Sequence, residues 1–324
     1  MKTRKLGWTG LNLTTIGLGT FAMGGSGWQF SWGPQDDSES ISTILRALET
    51  GVNWIDTAPG YGCGHAEEII GKAIKGLSSK PIISTKCGIH CDKDGNIIFR
   101  LNRESIRAEV EASLRRLQID VIDLYQIHWP IPEEDIEEAW ETVAEAVKEG
   151  KVRYAGVSNF NIEQIKRIQS IHTVASLQPP YSILERGIED KMLDFCRQNK
   201  IGVIVYTPMQ QGLLSGKFSR QRLHNLPDED LRHRDPHFQE PQFSANLELA
   251  EGLRPIAQKH GRTVAQLAIA WTLRRPVVTS AIVGARRPSQ IEETILAGDW
   301  TLPNEDISAI DKLIAKREEA LKQA

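Results

Sequence analysis

The sequence predicts an α/β protein with a (β/α)8 barrel, and three observations support this fold class. Eight apolar, strand-like runs end near residues 19, 56, 86, 128, 158, 178, 206 and 283. Segments with helical periodicity separate these runs. Most successive runs end about 30 residues apart, which is the length of a unit that joins two parallel strands through a helix. Because eight such units close a barrel, we expect residues 1–324 to form a single domain.

The remaining elements add to this TIM barrel in chain order. An N-terminal β-hairpin is predicted over residues 4–14, turning at Gly7-Trp8-Thr9-Gly10. The interval from Tyr206 to Val283 is too long for one unit, so the seventh unit should carry a long loop and an extra helix. Helices are predicted at residues 38–50, 65–74, 105–117, 136–149, 162–170, 189–199, 245–273 and 289–297, with a C-terminal helix at 304–324.

A doubly wound open sheet is the alternative fold. Residues 17–22 match the dinucleotide-binding pattern G-x-G-x-x-A, and Glu39 follows about 20 residues later. That pattern requires a helix to begin within it. Here it continues into Met23-Gly24-Gly25-Ser26-Gly27, which is a loop sequence. The barrel is therefore favoured.

The composition argues against several classes of partner. The chain has 39 basic and 42 acidic residues and a formal net charge of -3, so it has no basic field for nucleic acid or an anionic membrane. It contains neither a long apolar run nor a signal-peptide pattern, and we expect a cytoplasmic protein. The four cysteines, at 63, 87, 91 and 196, lack the spacings of zinc or redox sites and are expected to be free thiols.

Three of the predicted strands end in ionisable residues, namely Asp56, Lys86 and His128. All strands of such a barrel point their carboxyl ends at one face, where active sites are found, so these three side chains should converge. A carboxylate at the end of a buried strand is costly unless a cation pairs with it. Lys86 is the natural counter-ion for Asp56. Tyr61 follows close behind, in a glycine-rich loop.

Several motifs that contain these residues resemble the aldo-keto reductase superfamily. The resemblance runs from about residue 6 to 313, and the long seventh loop is similar to that of bacterial and plant members. It implies the reduction of aldehydes or ketones, possibly sugars, to alcohols with NADPH. The motifs are Asp56-Thr57-Ala58 with Tyr61-Gly62, Ser84-Thr85-Lys86, Gln126-Ile127-His128-Trp129-Pro130, Gly156-Val157-Ser158-Asn159-Phe160 and Gly212-Leu213-Leu214-Ser215-Gly216-Lys217.

The resemblance implies a catalytic tetrad of Asp56, Tyr61, Lys86 and His128. Hydride delivery to a carbonyl carbon leaves negative charge on the oxygen, which requires a proton donor and a positive field. Tyr61 would be the general acid, and Lys86, paired with Asp56, would ease its deprotonation. His128 would orient the substrate oxygen and share the donor role. Each residue alone has an ordinary structural explanation, and it is their coincidence at strand ends that favours the tetrad.

The resemblance also implies how NADPH/NADP+ is bound, since no side chain can supply a hydride. Ser158, Asn159 and Gln178 would hydrogen-bond the nicotinamide carboxamide, and Tyr206 would stack on the ring. The alternative for Ser158 and Asn159 is an ordinary helix N-cap before Ile162. The loop that follows Tyr206 would cover the pyrophosphate, with Thr207, Pro208, Gly212, Leu213 and Lys217 as its contact residues.

The adenosine half of the cofactor is assigned to the segment after the eighth strand. Arg286 suits a bidentate grip on a 2′-phosphate, which favours NADPH over NADH. The sequence departs from the family at one place, since the family's Glu-Asn pair is Glu293-Thr294 here and lacks the side-chain amide that would hydrogen-bond the adenine. The cofactor residues of this region are Gly284, Arg286, Gln290 and Glu293, together with Gly19, Thr20 and Asp56 at the ends of the first two strands.

The sequence leaves two explanations open for a group of aromatic residues and two for the function class. Trp28, Phe30, Trp32 and Trp129 are expected at the barrel mouth, where they would either line a pocket for aldehydes or sugars or cover the rim. No metal motif is present in the sequence, and no metal is expected. The sequence carries no signal for the oligomeric state or for the physiological substrate.

A redox-sensing regulatory protein with slow turnover, similar to potassium-channel β-subunits, is the alternative to an enzyme. The sequence lacks the long N-terminal segment of those subunits, which favours the enzyme.

Overall fold

The computed structural model describes residues 1–323 and confirms the barrel. Eight parallel strands form a closed barrel, in which the last strand pairs with the first through Val283 and Leu18. The strands in chain order are β1 (Thr3–Lys5), β2 (Asn12–Thr14), β3 (Ile16–Gly19), β4 (Trp54–Asp56), β5 (Ile82–Cys87), β6 (Ile89–Cys91), β7 (Ile97–Phe99), β8 (Ile122–Ile127), β9 (Val152–Ser158), β10 (Ser176–Gln178), β11 (Gly202–Val205) and β12 (Val278–Gly284). The barrel contains β3, β4, β5, β8, β9, β10, β11 and β12, neighbouring one another in that order.

Helices surround the barrel, and most of them bury one apolar face against the strands or against a neighbouring helix. The C-terminal helix ends at Gln323 in the described chain, and the last residue of the range predicted for it lies outside the described residues. The helices are α1 (Asp37–Glu49), α2 (His65–Ile74), α3 (Arg103–Leu117), α4 (Ile136–Lys148), α5 (Ile162–Gln169), α6 (Met192–Gln198), α7 (Arg220–His224), α8 (Gln242–Lys259), α9 (Val264–Leu273), α10 (Pro288–Thr294) and α11 (Asn304–Gln323).

The long helix predicted over residues 245–273 is wrong, because two helices occupy this range. Gly261 has a φ of 62°, a left-handed conformation that glycine adopts easily and that ends α8. Thr263 then begins α9 with a capping box, in which its side chain accepts from the backbone N–H of Gln266. The seventh unit therefore carries α7 and α8 in addition to α9, and the extra helix is confirmed.

Two hairpins lie outside the barrel. The hairpin β1–β2 was predicted, and it covers the amino-terminal end of the barrel: Leu6 is fully buried against Gly202 at the start of β11. The hairpin β6–β7 was not predicted, because residues 89–99 lack a strong apolar alternation. It follows β5 directly and lies at the carboxyl end of the barrel, beside the loop that carries Tyr61. Because the hairpin β1–β2 covers the amino-terminal end, the functional site is expected at the carboxyl end.

Candidate active site

The ionisable residues at the ends of β4 and β5 form a buried ion pair. Lys86 Nζ donates to Asp56 Oδ2 at 2.7 Å, and the two side chains are 0% and 3% exposed. Lys86 Nζ also donates to the carbonyl oxygen of Thr57 at 2.8 Å and to the hydroxyl of Tyr61 at 3.3 Å. The ammonium group therefore has three oxygen partners, one of which is the phenol. This arrangement places a fixed positive charge beside a hydroxyl group.

Asp56 is held from its other side by two neutral donors. Gln178 Nε2 donates to Asp56 Oδ1 at 2.8 Å, and Ser84 Oγ donates to the same oxygen at 3.1 Å. Gln126 Nε2 donates in turn to Ser84 Oγ, and Gln126 Oε1 accepts from Ser176 Oγ. These side chains form a hydrogen-bonded chain inside the barrel, all of it buried. The chain fixes the carboxylate that pairs with the lysine.

Sequence reasoning missed Ser84, Gln126 and Ser176, although a signal for them exists. Each lies two residues before a predicted site residue, namely Lys86, His128 and Gln178 respectively. Because side chains alternate along a strand, residues i and i+2 face the same side. A polar residue two positions before an interior site residue therefore predicts a second polar layer inside the barrel.

Burial and the charge of Lys86 shift the pKa of the Tyr61 hydroxyl in opposite directions. Burial raises the pKa of Tyr61 above its ordinary value, and the charge of Lys86 opposes this rise without cancelling it. For Lys86, burial acts to lower the pKa, but Asp56 and Tyr61 together bring the net pKa above its ordinary value. At neutral pH the phenol is thus protonated and the lysine charged, which is the state that a proton donor beside a cation requires.

His128 faces the same group from the end of β8. Its ring lies 5.8 Å from that of Tyr61, centroid to centroid, in an edge-on arrangement. Burial, followed by repulsion from Lys86, holds the pKa of His128 well below its usual range. The imidazole is therefore neutral at physiological pH. Its Nδ1 is buried and has no hydrogen-bond partner within residues 1–323.

Aromatic rings form a group around Tyr61. Phe21 contacts Tyr61 edge-on at 5.1 Å, and it also contacts Trp28 and Trp32 at 5.1 Å and 5.5 Å. Trp28 in turn lies 6.4 Å from Tyr61 and 6.3 Å from Phe30. Phe21 is thus the centre of the group, and sequence reasoning missed it because it lies inside the rejected dinucleotide-binding pattern.

The fourth aromatic residue proposed for the pocket lies apart from this group. Trp129 is 38% exposed on the loop after β8. Among the ring contacts found in residues 1–323, none involves Trp129. Three of the four aromatic residues proposed for the pocket therefore come together around Tyr61.

The residues assigned to the nicotinamide lie side by side at the ends of β9, β10 and β11. Ser158 Oγ donates to the carbonyl oxygen of Gln178 at 2.8 Å, and Asn159 Nδ2 donates to that of His128 at 2.9 Å. Tyr206 donates its hydroxyl to Asn159 Oδ1 at 2.8 Å. Asn161, rather than Ser158 or Asn159, is the N-cap of α5. The N-cap explanation for the first two residues is therefore wrong.

The predicted pyrophosphate loop follows β11 in an irregular conformation. Thr207 and Gly212 have positive φ values of 53° and 92°, and Pro208 lies between them, buried. A Cβ atom on Gly212 would meet nothing within 4 Å, so the loop leaves open space there. Leu213 is fully buried in a small core with Phe218, Phe238 and Phe243. Lys217 Nζ pairs with Glu293 Oε2 at 2.6 Å and so joins this loop to α10.

Arg286 lies at the other side of this region and is engaged by the loop after β3. Its Nε donates to Gln35 Oε1 at 2.6 Å, and its Nη atoms donate to the carbonyl oxygens of Trp32 and Pro34. Gln290 caps the turn by accepting from the backbone N–H of Arg286 at 2.7 Å. Burial and repulsion from the nearby Arg232 lower the pKa of Arg286. Arg286 thus lies near Arg232, which is itself paired with Asp230 at 2.6 Å.

The first two strands and the last one meet beside these groups. Gly19 pairs with Asp56 and with Gly284 across the sheet, and Thr20 donates its hydroxyl to the carbonyl oxygen of Asp56 at 3.1 Å. A Cβ atom on Gly19 would approach Ile282 Cγ2 to 2.7 Å, so the position has no room for a side chain. The ends of β3, β4 and β12 therefore lie next to the buried pair of Asp56 and Lys86.

The expectation of four free thiols is wrong for two of them. Cys63, in the loop after β4, forms a disulfide with Cys91 in β6, with the two Cα atoms 5.5 Å apart. Cys87 and Cys196 are free and buried. No sequence signal indicated the pair, because residues 28 positions apart meet only through the unpredicted hairpin β6–β7.

The family model of the aldo/keto reductases matches residues 15–315, which is nearly the whole chain. The chain belongs to the aldo/keto reductase family. It is 42% identical to the aldo-keto reductase YhdN of Bacillus subtilis (strain 168), over 94% of this chain and 91% of that protein. It is 36% identical to the NADH-specific methylglyoxal reductase of Escherichia coli (strain K12), over 97% and 98% of the two chains.

Solved structures of this family have the same fold. The glycerol dehydrogenase AKR11B4 from Gluconobacter oxydans superposes with a TM-score of 0.88 at 36% identity, covering 98% of this chain and 96% of that one. The family assignment makes this aldo/keto reductase an oxidoreductase that acts on carbonyl compounds with a nicotinamide cofactor.

None of the helices described is both long and apolar enough to cross a membrane. Within residues 1–323, no cluster of three or more His, Cys, Asp or Glu side chains is placed to hold a metal ion.

Proposed function

We propose that this aldo/keto reductase reduces aldehydes and ketones to alcohols with NADPH, with Tyr61 as the general acid. The observation that carries the proposal is the 3.3 Å contact between Lys86 Nζ and the Tyr61 hydroxyl, backed by the buried pair with Asp56. A bound nicotinamide cofactor supplies the hydride. The residues of the chain supply the proton and the field that stabilises charge on oxygen.

The role of each residue follows from its charge state. As negative charge develops on the carbonyl oxygen, Tyr61 transfers its proton to that oxygen and becomes a tyrosinate. Lys86 stabilises the tyrosinate at short range, in a site where little water screens the interaction. Asp56 keeps the lysine charged and in place. Neutral His128 donates a hydrogen bond to the carbonyl oxygen and so orients it.

The residues around the seventh loop fit a phosphorylated dinucleotide. Trp32 Nε1 and Glu293 Oε1, a donor and an acceptor, are buried without a partner among the described residues. Burial, and then repulsion from two neighbouring arginines, lowers the pKa of Arg222 and of Arg286, so four guanidinium groups lie near one another, and such a cluster is suited to phosphate. Two of them, Arg286 and Arg287, follow β12 directly, and the others are Arg222 and Arg232. A buried donor, a buried acceptor and a group of arginines near the seventh loop support the proposal of NADPH as the cofactor.

The proposed function is tested by mixing the protein with NADPH and a panel of carbonyl compounds. The panel runs from small aromatic aldehydes and methylglyoxal to inosose and aldoses. We expect the nicotinamide absorbance near 340 nm to fall with at least one reactive aldehyde, with the alcohol as product. Tight NADPH binding, measured by quenching of tryptophan fluorescence, together with no turnover on any carbonyl would instead indicate a regulatory protein. We also propose a cytoplasmic location, where NADPH is kept reduced.

The preference for NADPH is tested at Arg286, since a relative with 36% identity is named for NADH. Arg286→Ala is expected to weaken NADPH binding by about ten- to a hundredfold, the value of a charged hydrogen bond of about 1.5–3 kcal/mol. NADH lacks the 2′-phosphate, so its affinity should change far less. Fluorescence titration with both cofactors measures the two effects. Equal weakening of both would show that Arg286 only holds the loop at Trp32 and Pro34 in place, and would remove the argument for NADPH.

A further inference from the structure

The disulfide between Cys63 and Cys91 lies next to the proposed proton donor. Cys63 is two residues after Tyr61, and its side chain is on an exposed part of the loop, whereas Cys91 in β6 is half-buried. The bond is therefore open to small thiols from solution. Disulfides of this kind in proteins of a reducing compartment are usually transient and serve as redox sensors or catalysts.

The other two cysteines cannot compete for oxidants. Cys87 and Cys196 are both fully buried, and burial raises the pKa of each thiol. A thiol with a raised pKa carries little of the reactive thiolate at neutral pH. Oxidation and reduction of the native protein are thus directed to the pair beside Tyr61.

One residue of the Tyr61 loop combines this bond with a left-handed backbone conformation. Gly62, Cys63 and Gly64 have consecutive positive φ values of 61°, 55° and 99°. Glycine adopts such angles freely, whereas for a cysteine they are uncommon and cost free energy. The covalent link to Cys91 restrains this residue. Gly62 also packs against the backbone of Gly24, where an added Cβ atom would approach the carbonyl oxygen to 2.2 Å.

The same bond couples the Tyr61 loop to the aromatic mouth of the barrel. Cys91 belongs to the hairpin β6–β7, whose Gly95 accepts from the backbone N–H of Gln29 at 3.0 Å. Ile97 of this hairpin donates its backbone N–H to Gln29 Oε1 at 2.9 Å. Gln29 lies between Trp28 and Phe30, in the loop that surrounds Tyr61 with rings. The disulfide thus joins the segment of the proton donor to the segment of the proposed substrate pocket.

From these contacts we propose that Cys63 and Cys91 are a site of reversible thiol oxidation that sets the turnover of the adjacent active site. The effect on turnover rests on the proposed function. When the disulfide is formed, the loop holds the Tyr61 hydroxyl next to Lys86 and the enzyme is active. When the disulfide is reduced, the loop moves more freely and the Tyr61 hydroxyl is less well placed. The reductant is a low-molecular-weight dithiol, and the oxidant is a disulfide such as oxidised glutathione.

The exchange proceeds through two attacks by thiolate. A dithiol attacks the exposed Cys63 Sγ, which breaks the protein's S–S bond, forms a mixed disulfide and releases Cys91 as a thiolate that takes up a proton. The second thiol of the dithiol then attacks the dithiol sulfur that is bonded to Cys63. This step releases Cys63 as a thiolate, which takes up a proton. The protein gains two electrons and two protons, and the dithiol leaves as a cyclic disulfide. Oxidised glutathione reverses the reaction in two corresponding steps.

Reduction should loosen the loop without unfolding it. The backbone N–H of Tyr61 donates to the carbonyl oxygen of Ala58 at 3.1 Å, and the carbonyl oxygen of Tyr61 accepts from Ala66 at 3.2 Å, and both bonds are independent of the disulfide. Misplacement of a catalytic group by a fraction of an ångström is costly to the rate, so we expect turnover to fall on the order of tenfold.

The test compares the oxidised and the dithiothreitol-reduced full chain under native conditions. Reduction should expose two thiols to a chromogenic disulfide reagent, speed backbone hydrogen exchange in residues 58–66 and lower kcat with NADPH and an aldehyde. Cys63→Ser and Cys91→Ser should behave like the reduced protein in either buffer. The matched control, Cys196→Ala in α6, should keep the full response.

The outcomes separate this proposal from the proposed function. A protein that is inactive on all carbonyl compounds would refute the proposed function. Backbone hydrogen exchange does not depend on turnover, so it would still test the redox site in that case. Equal exchange of residues 58–66 in both forms, or a Cys63→Ser variant that still responds to reduction, would overturn the redox site. A change of exchange with an unchanged kcat would overturn its link to catalysis.

Discussion

Tyr61→Phe is expected to lower kcat by about a hundred- to ten-thousandfold, the contribution typical of a positioned general acid. The ring remains, and with it the packing against Phe21, Trp28 and His128. Lys86 loses one of its three partners but keeps Asp56 and the carbonyl oxygen of Thr57. NADPH affinity and stability should therefore remain near those of the wild type. Steady-state reduction of an aldehyde at saturating NADPH gives the measurement.

A control on the rate-limiting step is needed for this variant. If product release limits the wild type, the loss at the chemical step is partly hidden. Single-turnover mixing of the NADPH complex with the aldehyde isolates that step in both proteins. A variant that keeps more than about a tenth of the single-turnover rate would show that Tyr61 is not the acid, since the smallest loss typical of a general acid is larger.

Lys86→Met is expected to suppress reduction by a similar factor while NADPH still binds. The substitution keeps the apolar stem and removes the charge that opposes the effect of burial on the Tyr61 pKa. Without that charge the pKa rises further and the tyrosinate is less stable, so proton transfer slows. The turnover number with an aldehyde and the dissociation constant of NADPH, measured on the same preparation, check both parts of this prediction.

The same substitution is expected to destabilise the fold. Asp56 loses its counter-ion at a position where the side chain is only 3% exposed. Breaking a buried pair by removing one partner costs about 3–5 kcal/mol. Gln178 and Ser84 still donate to Asp56 Oδ1, which favours the lower part of this range. Chemical denaturation of the variant and the wild type gives the difference in the free energy of unfolding.

The barrel and the convergence of the ionisable groups could be predicted from the sequence because both depend on local patterns. Strand-like runs and helical periodicity fix the order of the elements, and parallel closure then brings Asp56, Lys86 and His128 to one end. The strand ends differ from prediction by at most one residue at Cys87, Ile127, Val205 and Gly284.

The features that were missed depend on long-range contacts. Pairing of Cys63 with Cys91 requires the hairpin β6–β7, whose position is set by contacts with Gln29 in another loop. The single long helix was predicted because apolar spacing continues across Gly261 and Thr263, where a left-handed residue and a capping box end one helix and begin the next. The polar layer of Ser84, Gln126 and Ser176 becomes visible only when strand alternation and the barrel interior are considered together.

The double variant Asp56→Asn with Lys86→Met tests most directly the claim that Lys86 makes Tyr61 a usable acid. An amide at position 56 carries no charge to be left unpaired, so the double variant should regain much of the stability lost by Lys86→Met alone. The amide oxygen at this position can still accept from Gln178 and Ser84. The decisive measurement is the single-turnover rate of aldehyde reduction at saturating NADPH. We predict recovery of stability with no recovery of this rate; a rate restored towards that of the wild type would mean that Lys86 only neutralises Asp56 and that another group activates Tyr61.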